Sequence, residues 1–445
     1  MKLYNSKSNS LEEFNPIEEG KVSMYVCGPT VYNYAHIGNA RPIVVFDLLR
    51  RVLETLGYDV KLVSNYTDVD DKIIKKASEE GVDESVISNR YIEAYEKVRK
   101  GLHADHVQAT PKVTNTMPEI ISFIQDLIDH DYAYASKGDV YFRVSKAKEY
   151  GAISSQNIDE LMVGARIEEN SNKENPLDFV LWKDTNDNGI KWDAPWGKGR
   201  PGWHTECVVM INNEFKQEII DIHGGGQDLK FPHHENESAQ CRALHNHDLA
   251  NYWVHNAMLN IDGEKMSKSI GNVMWAQEFI DKLGENATRW LLLSTHYRLT
   301  LNITEELVEQ TRKELDRIFQ GLNKAYIELE KVEFQIDTNY DELRFNQFMD
   351  AMSDDLNVAN ANVVLFDTVK QLNAAVRQRE INASDVSKYI VTVEKMLDVL
   401  GISYTRIVLD EAARLLFKQW NEAKARKDFD DADRYRGELI ERGLL

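Results

Sequence analysis

Four side chains of the kind that bind zinc are spread over three distant stretches of the sequence. Cys27 and Cys207 could each supply a thiolate, and His233 and Glu237 lie four residues apart. Because a helix is expected after Pro232, the last two side chains would project from one face of it. Zinc accepts sulfur, imidazole and carboxylate ligands together, so the residue types predict a zinc site.

Each of these residues also has an ordinary structural explanation. A lone cysteine usually packs as a small apolar side chain, and a lone histidine usually makes a hydrogen bond in the core or at the surface. His234 and Cys241 are further candidate ligands. The residue types and their spacing therefore leave the ligand set open.

A second group of residues could bind a triphosphate. His36, Gly38 and Asn39 belong to the short run HIGN, and Lys265 and Lys268 belong to the run KMSKS far downstream. When a carboxylate attacks the α-phosphorus of ATP, negative charge moves to the departing pyrophosphate, and fixed cations and N–H donors stabilise that transition state. The alternative is that His36 and Asn39 cap a helix and that the lysines belong to a solvated loop.

A run of three glycines centred on Gly225 is followed by Asp228. Glycines let the backbone approach a nucleotide closely, and the carboxylate could accept hydrogen bonds from ribose hydroxyls. The alternative is a tight turn between a strand and a helix, with Asp228 as the helix cap.

The elements that would position these residues begin with a β-α-β unit. Alternating apolar residues predict a strand over 21–27, helical periodicity covers 41–56, and a second strand covers 60–63. The helix should begin just after HIGN, and such an N-terminus binds anions through free N–H groups and the helix dipole. A buried strand over 218–222 should end at His223 and the three glycines, and catalytic residues gather at such strand ends.

The second half of the chain is predicted to be helical. An apolar face is expected on each of three helical stretches, which begin after Asn302 and cover 345–377 and 386–400. Such faces indicate a helical bundle. A last module from Glu411 should form a hairpin of two helices. It carries eight Lys or Arg and eight Asp or Glu within 411–445, so it is neutral in an acidic chain. That local balance fits contact with RNA.

Composition limits the remaining possibilities. A chain of 445 residues with 42% apolar residues is expected to form two to four globular domains. The net charge of −20 argues against a uniformly basic nucleic-acid surface. No long apolar run or secretory pattern is present, so we expect a cytoplasmic protein with no membrane contact. Three scattered cysteines do not indicate a disulfide framework.

Seven ordered blocks give the sequence a specific family resemblance. HIGN together with KMSKS resembles the signature pair of class I aminoacyl-tRNA synthetases, and the closer resemblance, over nearly the whole chain, is to the cysteinyl-tRNA synthetases. The blocks that carry it are MYVCGPTVY, NYTDVDDK, PLDFVLWK, GRPGWHTEC, DIHGGGQDL, FPHHENE and EKMSKSIGN. A single four-residue block would be weak, whereas seven in order are highly specific.

The resemblance implies an α/β class I synthetase fold of the Rossmann type, with a connecting insertion, followed by an α-helical bundle and a small helical C-terminal module. Six segments are expected. They are the first catalytic half at 1–106, the insertion at 107–200, the second catalytic half at 201–255, a KMSKS-containing stem-contact region at 256–303, the bundle at 304–405 and an anticodon-binding-like module at 406–445.

The resemblance also implies an activity and a set of site residues. The activity would be the activation of L-cysteine with ATP and Mg²⁺, followed by transfer to tRNA(Cys), by a monomer. Zn²⁺ would be held by the four residues named first, and His36, Asn39, Lys265 and Lys268 would act in catalysis. ATP would contact His36, Gly38, Asn39, Gly225, Asp228 and Lys268, and cysteine would contact Gly28, Thr67, Trp203 and His223.

Four alternative functions are considered. A cysteine ligase of the mycothiol pathway resembles the same catalytic half but would lack an anticodon module, and residues 411–445 argue against it. A non-catalytic RNA-binding protein would be expected to lose HIGN or KMSKS. A structural zinc protein would need no ATP motif. Nicotinamide binding is disfavoured because the first strand is not followed by G-x-G-x-x-G.

Overall fold

The computed structural model describes residues 1–155, 172–266 and 273–444. The chain divides into two compact units, the first comprising residues 1–303 with 354–356 and the second comprising residues 304–353 with 357–445. None of the helices in the described ranges is both long and apolar enough to cross a membrane.

A four-stranded parallel sheet forms the centre of the first unit. Its strands are β3 (Lys21–Val26), β4 (Asp59–Val63), β10 (Ile220–Gly226) and β11 (Ala250–Asn256), in the spatial order β11-β10-β3-β4. Helix α1 (Ile37–Thr55) connects β3 to β4, which confirms the predicted β-α-β unit. Because parallel strands end at the same edge, the segments after β3, β4 and β10 meet there.

Two details of this sheet differ from the sequence-based prediction. Helix α1 begins at Ile37, four residues earlier than expected, because His36 adopts an extended N-cap conformation and its N–H donates to Asn39 Oδ1 at 3.1 Å. Strand β10 continues through the glycines instead of turning at His223. A Cβ on Gly224 would lie 2.2 Å from the Phe46 ring, so glycine here makes room for α1 against the strand.

The insertion folds as helix α4 (Met117–Asp129) and a five-stranded antiparallel sheet in the order β5-β6-β7-β9-β8. Val140, Phe142 and Trp182 of this sheet share one apolar cluster with Tyr25 and Trp253 of the central sheet. The insertion is therefore packed onto the central sheet. Its strands are β5 (Ala133–Ser136), β6 (Asp139–Phe142), β7 (Phe179–Asp184), β8 (Trp192–Ala194) and β9 (Gly197–Pro201).

The rest of the first unit completes the surroundings of the sheet. Strand β12 (Leu259–Ile261) pairs with β13 (Glu264–Lys265) and with β14 (Leu301–Ile303). Asp262 and Gly263 both have positive φ, which confirms the predicted turn before KMSKS. The remaining elements are β1 (Lys2–Asn5), β2 (Ser10–Glu13), α2 (Asp71–Glu80), α3 (Glu84–Gly101), α5 (Glu206–Phe215), α6 (Glu235–His245), α7 (Ala276–Leu283) and α8 (Glu285–Leu293).

The second unit is helical in its described residues, as predicted. One expected helix over 345–377 is interrupted, because Asp355 and Leu356 both adopt left-handed backbone with φ near +58° and +55°. The C-terminal hairpin is confirmed, and Leu416, Phe417 and Leu439 form its apolar contact. The helices are α9 (Glu305–Lys331), α10 (Glu342–Met352), α11 (Val358–Val376), α12 (Ala383–Leu400), α13 (Glu411–Arg426) and α14 (Phe429–Glu441).

Candidate metal centre and nucleotide site

The structure brings the four predicted zinc ligands together. Cys27 follows β3, Cys207 lies in the first turn of α5, His233 precedes α6, and Glu237 lies in the first turn of α6. The Cys27 and Cys207 sulfurs are 3.7 Å apart, Cys207 Sγ is 3.6 Å from His233 Nε2, and Cys27 Sγ is 3.6 Å from Glu237 Oε1. His233 Nε2 lies 2.6 Å from Glu237 Oε1.

Three of these four distances fit a tetrahedral zinc ion. Bonds of about 2.0–2.3 Å from zinc to nitrogen, oxygen and sulfur place neighbouring ligand atoms about 3.3–3.8 Å apart. Three of the four separations fall in that range, and the shorter His233–Glu237 separation is that of a hydrogen bond. One donor atom from each residue lies within 4.8 Å of all the others. The donor set and its geometry therefore suit zinc.

His234 remains an alternative ligand. Its Nε2 lies 3.3 Å from Cys27 Sγ, and Cys27, His223, His234 and Glu237 form a second group whose donor atoms lie within 4.8 Å of one another. On its other side, His234 Nδ1 lies 2.8 Å from His255 Nε2. Cys241 is buried outside both groups, and its sulfur lies 3.8 Å from the Glu218 carbonyl oxygen.

The electrostatics of the site favour one ionised thiol over the other. Burial raises the pKa of Cys27 well above the ordinary value for a thiol. Burial also opposes ionisation of Cys207, but hydrogen bonds with Cys27 and His233 lower its pKa to about 7. Burial likewise opposes ionisation of Glu237, but the adjacent His233 and His223 imidazoles hold its pKa well below the usual range. These shifts make Cys207 the more easily ionised of the two thiols and favour a carboxylate at Glu237.

The predicted cysteine-binding residues surround these ligands. The Trp203 ring stacks on His233 with centroids 4.4 Å apart and remains 43% exposed, so one face can cover a small ligand. His223 contacts the Glu237 carboxylate through Nε2, and its Nδ1 lies 3.2 Å from the Tyr25 carbonyl oxygen. These two contacts fix the orientation of the His223 ring.

Thr67 reaches the same region from the segment after β4. It is buried, and its hydroxyl donates to the carboxylate of Glu206, which precedes the ligand Cys207. The sequence did not single out Glu206 or His255. Both side chains are buried, and their contacts become visible only in the folded structure.

Gly28 is held against Asn65 by close backbone packing. Its N–H donates to Asn65 Oδ1 at 2.8 Å, and a Cβ at this position would lie 1.7 Å from the Asn65 carbonyl oxygen. Glycine is therefore required here by the neighbouring backbone, in addition to any contact with a ligand ammonium group.

We predict that Gly28→Ala will displace the segment that leads to Thr67. The clash should lower the free energy of unfolding by about 1–3 kcal/mol and weaken cysteine binding. Denaturant unfolding and calorimetric titration with cysteine would measure both effects. Gly437→Ala is the control, because a Cβ there meets no atom within 4 Å. Unchanged stability and cysteine affinity in Gly28→Ala would contradict the role of this packing.

The HIGN run comes close to described residues within and after KMSKS at the start of α1, where the sequence predicts a triphosphate site. The Ile37 N–H donates to the Met274 carbonyl at 2.8 Å, and His36 pairs with Trp275 as a β-bridge. A Cβ on Gly38 would lie 3.0 Å from the Met266 methyl carbon. Lys265 is exposed at the end of β13, and Lys268 lies outside the described residues.

The N-terminus of α1 has fewer available N–H groups than the sequence predicts. Ile37 donates to Met274, and the Asn39 N–H bonds the His36 carbonyl at 2.8 Å. Asn39 Oδ1 accepts from the His36 N–H, which leaves the amide NH₂ of Asn39 as its donor group. Asn39 therefore caps the helix and can donate to a ligand at the same time.

The glycine run and Asp228 lie at the carboxyl end of β10. Gly225 is buried opposite His255 of β11, and a Cβ on it would lie 2.9 Å from the Leu229 side chain. Asp228 is exposed in a short 3₁₀ turn that begins after Gly226. This edge of the sheet is where parallel α/β folds bind nucleotides.

Comparison with protein families gives two matches along the chain. Residues 13–313, more than half of the chain, match the family described as tRNA synthetases class I (C) catalytic domain. Residues 347–405 match the DALR domain.

Curated relatives identify the family more closely. The cysteine–tRNA ligases of Halalkalibacterium halodurans and Geobacillus sp. (strain WCH70) are each 46% identical to this chain, over 452 and 456 residues. Both comparisons cover 100% of this chain and 97% of the relative. The chain belongs to the cysteine–tRNA ligase family. The predicted class I resemblance and its closer branch are thereby confirmed.

Two solved synthetase structures align with this member of the cysteine–tRNA ligase family and have the same fold. Mycobacterium tuberculosis methionyl-tRNA synthetase in complex with methionyl-adenylate aligns with a TM-score of 0.62 at 13% identity, covering 85% of this chain and 89% of that chain. The LeuRS of Agrobacterium radiobacter K84, in a ternary complex with tRNA and LeuAMS, gives 0.63 at 10% identity, with 87% and 85% covered. The predicted class I fold is confirmed.

Proposed function

We propose that this protein activates L-cysteine with ATP and transfers it to the 3′ end of tRNA(Cys). The observation that carries the proposal is the convergence of Cys27, Cys207, His233 and Glu237 at the carboxyl edge of the sheet, in a chain that matches cysteine–tRNA ligases over its whole length. Because the net charge is −20, tRNA would bind to local surfaces that are less acidic than the rest of the protein.

In this proposal Cys27, Cys207, His233 and Glu237 would hold one zinc ion, which would supply a Lewis-acid site for the thiolate of the substrate. Trp203 covers the small side chain, while Thr67 and His223 line the pocket beside the metal ligands. The contacts of His223 with Glu237 and with the Tyr25 carbonyl keep its ring in one orientation. These residues together position the substrate carboxylate toward α1.

The nucleotide residues would act on the phosphates. A carboxylate oxygen of cysteine attacks the α-phosphorus of ATP, a P–O bond forms, and the bond to pyrophosphate breaks. Lys265 and Lys268 supply positive charge to the departing pyrophosphate, and His36 and the Asn39 amide supply donors. Mg²⁺ accompanies the ATP. In the second step a terminal ribose hydroxyl of the tRNA attacks the acyl carbon and AMP leaves.

Asp228 and Gly225 would hold the nucleotide at the end of β10. The exposed Asp228 carboxylate accepts hydrogen bonds from the ribose hydroxyls, and Gly225 allows the approach of the base and sugar to the strand. We further propose that the protein acts as a monomer in the cytoplasm, where its tRNA substrate is charged.

The decisive experiment is ATP–pyrophosphate exchange measured with each amino acid, followed by transfer of labelled cysteine to tRNA. Exchange that depends on cysteine, followed by charging of tRNA(Cys), is the expected result. Exchange without transfer would favour a ligase that delivers cysteine to an amino sugar. Absence of cysteine-dependent exchange would refute the proposal.

The helical hairpin at 406–445 is proposed to contact tRNA through exposed cations. We predict that Arg426→Glu with Lys427→Glu will raise the KM for tRNA several-fold and reduce its salt dependence, because two phosphate contacts are lost. Exchange without tRNA should be unchanged. Glu422→Lys on the same hairpin is the control and should not weaken charging. An unaltered KM for tRNA in the double variant would contradict this contact surface.

A further inference from the structure

A buried arginine lies two residues after Asn39 in α1. The Arg41 side chain is fully enclosed, and its two terminal nitrogens donate to four backbone carbonyl groups. One nitrogen bonds Ala257 O and Met258 O, each at 2.8 Å, and the other bonds His296 O at 3.2 Å and Leu299 O at 2.7 Å. In the described part of the chain no carboxylate lies at ion-pairing distance from Arg41.

A buried cation without a counter-charge is costly, and an apolar side chain would fill the same space more cheaply. Burial lowers the pKa of Arg41 to about 10, so the group still carries its charge at neutral pH. The cost is offset only by satisfying carbonyl groups from two separate segments. Packing of α1 alone does not require that arrangement.

The two segments lead to two neighbouring strands, one of which turns into the strand that carries Lys265. Ala257 and Met258 directly precede β12, which turns through Asp262 into β13 and Lys265. Residues 296–299 directly precede β14, which pairs with β12. One guanidinium therefore ties the start of α1 to the segments that precede β12 and β14.

Asp355 fixes the second of these segments. Its carboxylate accepts hydrogen bonds from the Tyr297 hydroxyl at 2.5 Å and from Arg298 Nε at 2.7 Å, and its carbonyl accepts from His296 Nε2 at 2.9 Å. Asp355 lies in the chain between α10 and α11, within the DALR match, yet residues 354–356 cluster with the first unit. Asp355 and the next residue both have left-handed backbone, which interrupts the helix at this point.

We infer that Arg41 is a positioning residue that sets the separation between the HIGN turn and the strand bearing Lys265, and that Asp355 holds the carbonyl segment that Arg41 binds. The inference rests on the proposed function, because its readout is adenylate formation. A displacement of about 1 Å of groups around a reacting phosphate costs on the order of 10²-fold in rate. The cysteine pocket is built on other segments and should be spared.

The test compares Arg41→Lys with Arg50→Lys in the full-length protein. Arg50 is a matched control because it is also buried in α1, but it pairs with Asp47 and Glu54 of the same helix. Lysine keeps the charge but cannot reach both segments with one nitrogen. We expect Arg41→Lys to lower kcat for ATP–pyrophosphate exchange by 10- to 100-fold, with cysteine affinity within twofold of the wild type. Arg50→Lys should change stability without this selective loss.

A second variant keeps the inference testable if Arg41→Lys does not fold. Asp355→Asn should lower kcat in the same direction by a smaller factor. Because both residues act on segment 296–299, the double variant should lose less than the product of the two single losses. Equal kcat losses in Arg41→Lys and Arg50→Lys, a parallel loss of cysteine affinity, or independent effects of Arg41 and Asp355 would each overturn the inference. If the wild type shows no cysteine-dependent exchange, the proposed function itself has failed.

Discussion

Replacing Cys207 with serine should remove the bound zinc and reduce cysteine affinity by at least 10³-fold, while ATP binding persists. The substitution removes the thiol whose pKa the site lowers to about 7. Cys27, His233 and Glu237 would then be the only strong ligands of this group, which are too few to hold zinc tightly. The proposed nucleotide residues lie at the start of α1, in KMSKS and at the end of β10, and none of them is one of the four candidate zinc ligands, so ATP affinity should persist. This is the largest effect that we expect from any single substitution.

The same site should account for the rejection of serine. Shape and apolar contacts supply only about 1–3 kcal/mol between side chains of such similar size. Discrimination of ~10⁴-fold requires about 5.5 kcal/mol. In its described residues the insertion consists of a packed sheet and α4, so we expect serine to be rejected when it binds and not in a separate editing domain.

The remaining discrimination can come from the different free-energy costs of ionising a thiol and a hydroxyl at the proposed zinc site. A thiol of pKa ~8.5 gives up its proton at pH 7 at a cost of roughly 2 kcal/mol. A hydroxyl with a pKa near that of water, ~15.7, would require about 12 kcal/mol. The difference of about 10 kcal/mol is an upper bound, because serine can also bind without ionising. Soft sulfur ligands are preferred at such a site as well.

Three measurements would decide this prediction. They are zinc content by elemental analysis, cysteine affinity by calorimetry, and activation of serine in the exchange assay. Cys241→Ser is the matched control, because Cys241 is equally buried but lies outside the ligand groups, and it should retain zinc and cysteine binding. A metal-free protein that binds cysteine tightly and rejects serine would refute the proposed role of zinc.

The second large effect is expected for Lys268→Ala, which should slow adenylate formation by ~10²-fold or more, equivalent to about 2.7 kcal/mol. Lys268 would meet the phosphates mainly as pyrophosphate departs, so cysteine affinity should change little. The described residues before and after it in the chain approach the start of α1, since Met266 lies against Gly38 and Met274 accepts the Ile37 N–H.

Single-turnover formation of cysteinyl-adenylate would measure the Lys268→Ala effect separately from substrate binding. Lys282→Ala, an exposed lysine of α7, is the control and should react at the wild-type rate. If the Lys268 variant loses rate and cysteine affinity in equal proportion, the side chain contributes to binding in general and the assignment to the transition state is wrong.

Local sequence patterns were sufficient to predict most of the secondary structure. The β-α-β unit, the turn at Asp262, the helical second half and the C-terminal hairpin follow from periodicity and turn chemistry, which act over a few residues. The family resemblance added the function and the site residues, because seven ordered blocks constrain a chain far more than any single motif. The positions of the candidate catalytic groups at strand ends also followed from the predicted parallel sheet.

Contacts between distant segments decided the remaining features. The start of α1 at Ile37 depends on its bond to Met274, and the extension of β10 through Gly224 depends on the Phe46 ring packed against it. The break at Asp355 follows from its bonds to Tyr297 and Arg298. Each partner lies tens to hundreds of residues away, so no local pattern encodes it.

The sequence by itself determined which residue types were present for a zinc site and a triphosphate site. Only the tertiary structure decided that Cys27, Cys207, His233 and Glu237 lie within bonding distance of one metal position, with His234 beside them. Only the tertiary structure decided that Arg41 binds four carbonyl groups. Parallel strands bring loops that are remote in the sequence to one edge of the sheet. Buried polar groups in these loops are stable only when they are hydrogen-bonded, and those bonds form only in the complete fold.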